Sequence, residues 1–169
     1  LEKAKNFEYK IFEKRSKLNL EEGYGIQLSV NSIKLLNKIG FKNITASDIF
    51  FPTKVNFFKS NNPNKICDID LTQFNDDLNR YTTTKRSTLL KFLLENIPKD
   101  KIKFNTILKH LDYSNSIKAD FSDDSEENFD FVIIADGVFS KSKLIISKEN
   151  LKPKYNNNIA LRGKLNKYD

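Results

Sequence analysis

The chain has 169 residues, 38% of them hydrophobic and 30% charged, with a net charge of +7 and 14 phenylalanines, which is enough apolar content for a core of its own. Its single cysteine, Cys67, excludes an internal disulfide and fits a reducing, cytoplasmic setting; no apolar run reaches the length of a membrane span and no signal peptide is visible. The lysines are scattered among Asn, Asp and Glu and form no stripe with exposed aromatics, so the charge reads as a solvated surface and not as a nucleic-acid interface.

Residues 7–12 alternate apolar and polar side chains, which predicts a strand ending at Glu13. A glycine-flexed loop and short strand follow over 23–28. Ser29 then serves as N-cap of a helix reaching Ile39, with Ile33, Leu36 and Ile39 along one side and Gly40 as its stop. From 49 to 74 the pattern changes to short β-like runs, broken by the turn Asn61-Asn62-Pro63-Asn64. Leu89, Leu90, Leu93, Leu94 and Ile97 have helical spacing, and Pro98 ends that helix. Residues 102–121 read as two or three antiparallel strands, and 123–128 as an acidic hairpin loop.

The nearly continuous apolar run from 129 to 135 reads as a strand buried on both faces. It stops at Asp136-Gly137, a pair suited to a sharp turn because Gly accepts positive φ and Asp can bond its own backbone. An Asn-rich linker and a candidate strand at 159–163 come last. This mixed order argues for α/β with an antiparallel insertion.

Three positions carry chemistry. A carboxylate just past the C-terminal edge of a buried strand, as at Asp136, lies where open α/β sheets bind ligands; an ordinary strand exit would look the same, but Ser140 and Lys143 follow in order. Glu13, also at a strand end, could accept two hydrogen bonds from a ribose diol, although by itself it reads as a surface residue of the run Glu13-Lys14-Arg15. Arg86 lies one turn before Leu89 and Leu90, so the spacing aims it along the buried side at a helix start. A cation there opposes the helix dipole unless an anion such as a pyrophosphate lies between them; a salt bridge to Asp76 or Asp77 is the equal alternative. Cys67 reads as a core or edge-strand residue. His110 reads as structural and not as a base.

Taken together, Glu13 after its strand, Gly23-Tyr24-Gly25-Ile26-Gln27-Leu28-Ser29-Val30-Asn31, Arg86-Ser87-Thr88-Leu89-Leu90 and the segment from Asp130 to Lys143 resemble the single-component FAD-dependent aromatic hydroxylases in order and spacing. These class A flavoprotein monooxygenases include para-hydroxybenzoate hydroxylase, salicylate hydroxylase and the ubiquinone-biosynthesis hydroxylases. The Gly-x-Gly-Ile-Gln-Leu-Ser-x-Asn form is most similar to the salicylate hydroxylase and hydroxynicotinate branch.

The resemblance implies a mixed α/β fold: a partial Rossmann-like FAD-binding domain with an antiparallel β-sheet substrate-domain insertion. Residues 1–48 and 81–147 would belong to the FAD-binding domain, 49–80 to the insertion, and 148–169 to the start of a second substrate-domain segment. Glu13, with Lys14 beside it, would hold the adenosine ribose of FAD. Gln27 would lie beside the isoalloxazine, Arg86 would reach the pyrophosphate or ribityl, and Asp136 and Gly137 would form the motif that serves both FAD and NAD(P)H. The implied chemistry is the cofactor's: NADH or NADPH reduces the flavin, O2 gives a C4a-hydroperoxide, and oxygen passes to a small aromatic substrate. No metal is implied, and peripheral membrane contact follows only if the substrate is a quinone precursor.

Two features depart from the family pattern. Lys143 stands where an Arg is usual, keeping the charge but losing the planar fork. The first strand with its Gly-x-Gly-x-x-Gly loop would lie upstream of Leu1, and the downstream Gly-Asp segment is also absent. The chain is therefore expected to be an internal fragment that alone neither holds FAD tightly nor turns over, and that exposes sheet edges. A flavoprotein of the same fold with other chemistry, a halogenase or a reductase, is the alternative within the fold; a non-catalytic basic α/β binding module is the alternative outside it.

Overall fold

A computed structural model describes residues 7–18, 20, 24–114, 116–147 and 152–161. The elements run β1 (Ile11–Phe12), β2 (Gly25–Leu28), α1 (Val30–Asn37), β3 (Ile49–Phe50), β4 (Lys54–Lys59), β5 (Asn62–Asp70), β6 (Thr82–Lys85) and α2 (Arg86–Glu95). They continue with β7 (Ile102–Lys103), β8 (Leu108–Asp112), β9 (Ile117–Phe121), β10 (Glu126–Phe129) and α3 (Ser142–Ser147). The chain divides into two units, one made of residues 1–7 and 19–99, the other of 8–18 and 100–169.

In the first unit β2, β6 and β3 form an antiparallel sheet with β6 at its centre. The run Thr82-Thr83-Thr84 suits that central position: β-branched residues fit a pleated, half-buried surface, and Thr82 and Thr84 are buried. Their hydroxyls are satisfied by the carbonyls of Arg80 and Asp48. Helix α1 begins after Ser29, which is extended, and the chain reverses at Gly40 with φ +103°, a conformation costly for any residue with a Cβ. The core is Ile33, Phe41 and Phe92, surrounded by Leu28, Leu36, Ile39, Ile49, Leu89 and Leu93. Phe41 and Phe92 meet edge to face at 5.2 Å, worth about 0.5–1.5 kcal/mol beyond area burial.

Strands β4 and β5 form a separate hairpin in this unit, turning at Ser60-Asn61, earlier than the Asn-Pro run suggests. Its register pairs Val55 with Ile69 and Phe57 with Cys67, so one face is apolar while Lys54, Asp68 and Asp70 lie on the other. Cys67 is exposed on this two-stranded sheet.

The second unit contains the parallel pair β1–β7 and the antiparallel meander β8-β9-β10. Residues 102–103 thus pair with β1 and not with the meander. Leu111, Ala119 and Phe121 form the core. Phe12 stacks on Phe121 with centroids 4.2 Å apart and meets Phe129 edge-on at 6.0 Å, so β1 is held to the meander by aromatic contact.

The apolar run at 129–135 departs from expectation. Only Phe129 belongs to a strand, and residues 130–135 have no ladder partner among the described residues. Exposure alternates along the run: Val132 and Ile134 pack on the core, whereas Phe131 and Ile133 are 83% and 84% exposed. An apolar run becomes a doubly buried strand only where layers cover both faces and strands flank both edges, and here the meander core covers one face alone. Two smaller differences follow in sequence. The stretch read as linker contains α3, and the candidate strand at 159–163 is not a strand over 159–161, its remainder lying outside the described residues together with Gly23.

Candidate functional site

The residues singled out in the sequence fall into both units. Glu13, Lys14, Asp136 and Gly137 belong to the second, Gln27 and Arg86 to the first.

In the second unit the turn at Asp136-Gly137 is formed as the sequence implies. Gly137 has φ +86°, and the backbone closes with Ser140 N–H donating to Gly137 O at 3.1 Å. A Cβ on Gly137 would meet nothing within 4 Å, so the turn faces open space. Removal from water is the largest single influence on Asp136 and raises its pKa, but hydrogen bonds from Ser140 and Ser142 together hold the carboxyl below the usual carboxylate value. It is therefore an ionised acceptor at neutral pH. Among the described residues the backbone N–H groups of Gly137, Val138 and Phe139 have no acceptor. Ser140 Oγ accepts from Lys143 N at 3.1 Å, and Lys143 Nζ lies 3.4 Å from Val138 O, so the lysine folds back over the loop.

Glu13 follows β1 directly. Its N–H donates to Lys103 O at 2.9 Å and its carbonyl accepts from Thr106 N at 3.1 Å, which fixes the backbone on both sides. Glu13 Oε1 accepts from Arg15 N at 2.9 Å, leaving Oε2 uncommitted among the described residues. Lys14 beside it is exposed.

In the first unit Gln27 lies opposite Thr83 in the β2–β6 ladder. Tyr81 Oη donates to Gln27 Oε1 at 3.0 Å. A tyrosine hydroxyl can donate or accept, so the bond anchors the end of the Gln27 side chain beside Tyr81. Arg86 opens α2 directly after β6, and its N–H donates to Tyr24 O at 3.1 Å, tying the helix start to β2. The β2–β6 ladder thus carries Gln27 opposite Thr83 and Arg86 opposite Tyr24, three residues apart along the strand. The side chain of Arg86 is exposed and not aligned with the buried side as the spacing suggests: the core takes Leu89, Phe92 and Leu93 from α2, and Arg86 stands beyond its end.

Tyr81 and Ser142 were not legible from sequence motifs. Tyr81 acts through a contact diagonal to the ladder, which has no sequence spacing, and Ser142 only through the three-dimensional closure of the loop. His110 is exposed on β8, opposite Asp120. No group of three potential metal ligands occurs among the described residues, and no helix there is long and apolar enough to cross a membrane.

No family model and no curated protein matches the chain. Solved structures do. 2,6-Dihydroxypyridine-3-hydroxylase from Arthrobacter nicotinovorans superimposes with a TM-score of 0.66 at 15% identity, over 87% of this chain and 35% of that one. HpxO from Klebsiella pneumoniae, complexed with FAD and uric acid, gives 0.61 at 17% identity, over 79% and 34%. Tetracycline destructase Tet(51) gives 0.61 at 16% identity, over 86% and 36%. The chain shares the fold of these three structures. The chain spans about a third of the length of these structures.

Proposed function

We propose that the chain supplies FAD-binding elements and part of the substrate domain of a flavin-dependent monooxygenase that hydroxylates a small aromatic ring using NADH or NADPH and O2. The observation that carries this reading is the fold shared with a hydroxylase of a nitrogen heterocycle and with a protein seen holding FAD.

The residues present suit such a cofactor. FAD is rich in hydroxyl donors and phosphate acceptors. The second unit offers matching groups: the ionised Asp136, the uncommitted N–H donors of Gly137, Val138 and Phe139, and the free oxygen of Glu13. In this reading Glu13 and Lys14 hold the adenosine ribose, while Asp136 and the N–H groups after it hold the ribityl side. Arg86 at the start of α2 meets the pyrophosphate, where a helix N-terminus favours anions. Gln27, anchored by Tyr81, lies beside the ring system. Bound FAD would supply electron transfer from the nicotinamide and the reaction with O2; the chain's own work is to bind, orient and exclude water. The hairpin β4–β5, exposed along nearly all its length, suits the substrate-domain role of residues 49–80.

No Gly-x-Gly-x-x-Gly occurs in the 169 residues, so the isolated chain is expected to bind FAD weakly and not to oxidise NAD(P)H. The test is NAD(P)H consumption by the protein from the complete reading frame that contains this sequence, measured with a panel of phenolic and heteroaromatic acids. Consumption that rises with one aromatic, and yields its hydroxylated product in step, supports the reading. Consumption with no hydroxylated product from any of them points to another flavin chemistry.

A further inference from the structure

The turn at Asp136-Gly137 also holds both reactants of a chemical change in the chain itself. An aspartate carboxyl can be attacked by the backbone nitrogen of the next residue, closing a succinimide ring. The peptide after the aspartate must swing onto the aspartate side chain, and a side chain on the second residue obstructs that swing. Glycine has no Cβ and the widest choice of backbone angles. Among all the Asp and Asn residues of the chain, only Asp136 is followed by glycine.

The structure leaves this pair open where it closes others. Residues 136–139 lie in no helix or strand, and Asp136 is exposed. Gly137 N–H, the attacking group, has no acceptor among the described residues, so no hydrogen bond has to break before it turns on the carboxyl. A Cβ on Gly137 would meet nothing within 4 Å, so the peptide has room to move. Asp136 Oδ2 accepts from Ser142 N at 3.4 Å, long for an N–H···O bond. By contrast, Asp70, Asp76 and Asp123 accept from Thr72 N, Asn79 N and Ser125 Oγ at 2.7, 2.7 and 2.6 Å. They are followed by Leu71, Asp77 and Asp124, whose side chains obstruct closure. What restrains Asp136 is charge, because a carboxylate resists a nucleophile that its neutral acid admits. Partial removal from water raises its pKa, but hydrogen bonds from Ser140 and Ser142 hold it below the ordinary value, so the acid form is scarce at neutral pH.

We infer that Asp136-Gly137 is a modification site at which the chain converts itself to isoaspartate, with Ser140 and Ser142 restraining the rate. The Gly137 nitrogen forms a bond to Asp136 Cγ as the bond from Cγ to its hydroxyl breaks, and the hydroxyl leaves as water with the amide proton. Water then adds to the main-chain carbonyl carbon of Asp136 and breaks its bond to the Gly137 nitrogen. One water is lost and one gained, and no oxidant or reductant takes part. The backbone thereafter runs through Cβ and Cγ, one methylene longer, and the former main-chain carbonyl becomes the free carboxylate. The inference holds whether or not the loop meets a flavin.

The test incubates the 169-residue chain in neutral buffer, with and without urea, and follows the peptide carrying residue 136 by mass spectrometry. A species lighter by one water is expected first, then an isomer of the original mass that isoaspartyl methyltransferase labels. Unfolding frees the carboxyl from Ser140 and Ser142, so urea should speed conversion, by about tenfold for each pH unit that the carboxyl pKa recovers. Asp136→Asn, which cannot ionise and loses ammonia in place of water, should convert faster than the parent at neutral pH. Asp136→Glu, which would have to close a larger ring, should abolish the product. Absence of isoaspartate at residue 136 in native buffer overturns the inference. So does labelling that survives Asp136→Glu, conversion as fast in native buffer as in urea, or an Asp136→Asn protein that converts no faster than the parent.

Discussion

Replacing Gly137 by alanine isolates one energetic contribution at the loop proposed to lie against FAD. Gly137 has φ +86°, a left-handed conformation that costs a residue with a Cβ about 1–2 kcal/mol. The added methyl would meet nothing within 4 Å, so crowding contributes nothing and backbone strain is the whole of the expected loss. For a chain of this size about 1 kcal/mol corresponds to about 2–4 °C in Tm. Asparagine tolerates the left-handed region better than alanine, so Gly137→Asn should lose less although its side chain is larger. Thermal and urea unfolding followed by circular dichroism would measure both variants against the parent. A Gly137→Ala protein as stable as the parent would refute the strain argument, and so would a Gly137→Asn protein less stable than Gly137→Ala.

Other consequences are equally direct. Phe121→Ala removes a buried ring that stacks on Phe12 at 4.2 Å and should cost about 3–5 kcal/mol, read as a fall in the urea midpoint. Phe131→Thr combined with Ile133→Thr alters side chains that are 83% and 84% exposed; stability should stay within about 0.5 kcal/mol of the parent for each change, while light scattering shows less self-association. Asp123 is held far below the usual carboxylate range, first by the Lys103 hydrogen bond and then by Ser125. Its folded pKa lies below the unfolded value near ~3.9, so its contribution is present above that pH and is lost as pH falls below it; Asp123→Asn should narrow the difference in unfolding midpoint between neutral and acidic buffer. Tyr81→Phe deletes the bond to Gln27 and should cost about 0.5–1.5 kcal/mol, without the larger loss expected of a core truncation.

Local signals in the sequence carried much of this structure. Ser29 and Gly40 lie close to the ends of α1, although Ser29 makes no side-chain capping bond and the helix ends at Asn37, short of the expected Ile39, before the left-handed Gly40. Asp136-Gly137 marks its turn through the left-handed glycine, and Leu89 and Leu93 reach the core from α2 as their spacing implies. What escaped depends on partners distant in sequence. The run at 129–135 has the composition of a doubly buried strand, but burial on its second face requires a layer that its own residues cannot specify. Arg86 shares the helical phase of Leu90 and Leu93, yet the core stops short of it. The bond from Tyr81 to Gln27, like the link from Asn37 to the loop at 75–81, depends on sheet and loop geometry that no spacing encodes.

Retention of a flavin by Asp136, Glu13 and the groups beside them is the central proposal. It is tested most directly by the visible absorption spectrum of the protein purified from the complete reading frame, alongside Asp136→Ala and Glu13→Gln in the same background. A yellow protein with flavin bands, and variants that retain less flavin at equal protein concentration, is the predicted result. A colourless protein that takes up no added FAD, or variants that retain as much flavin as the parent, would contradict it.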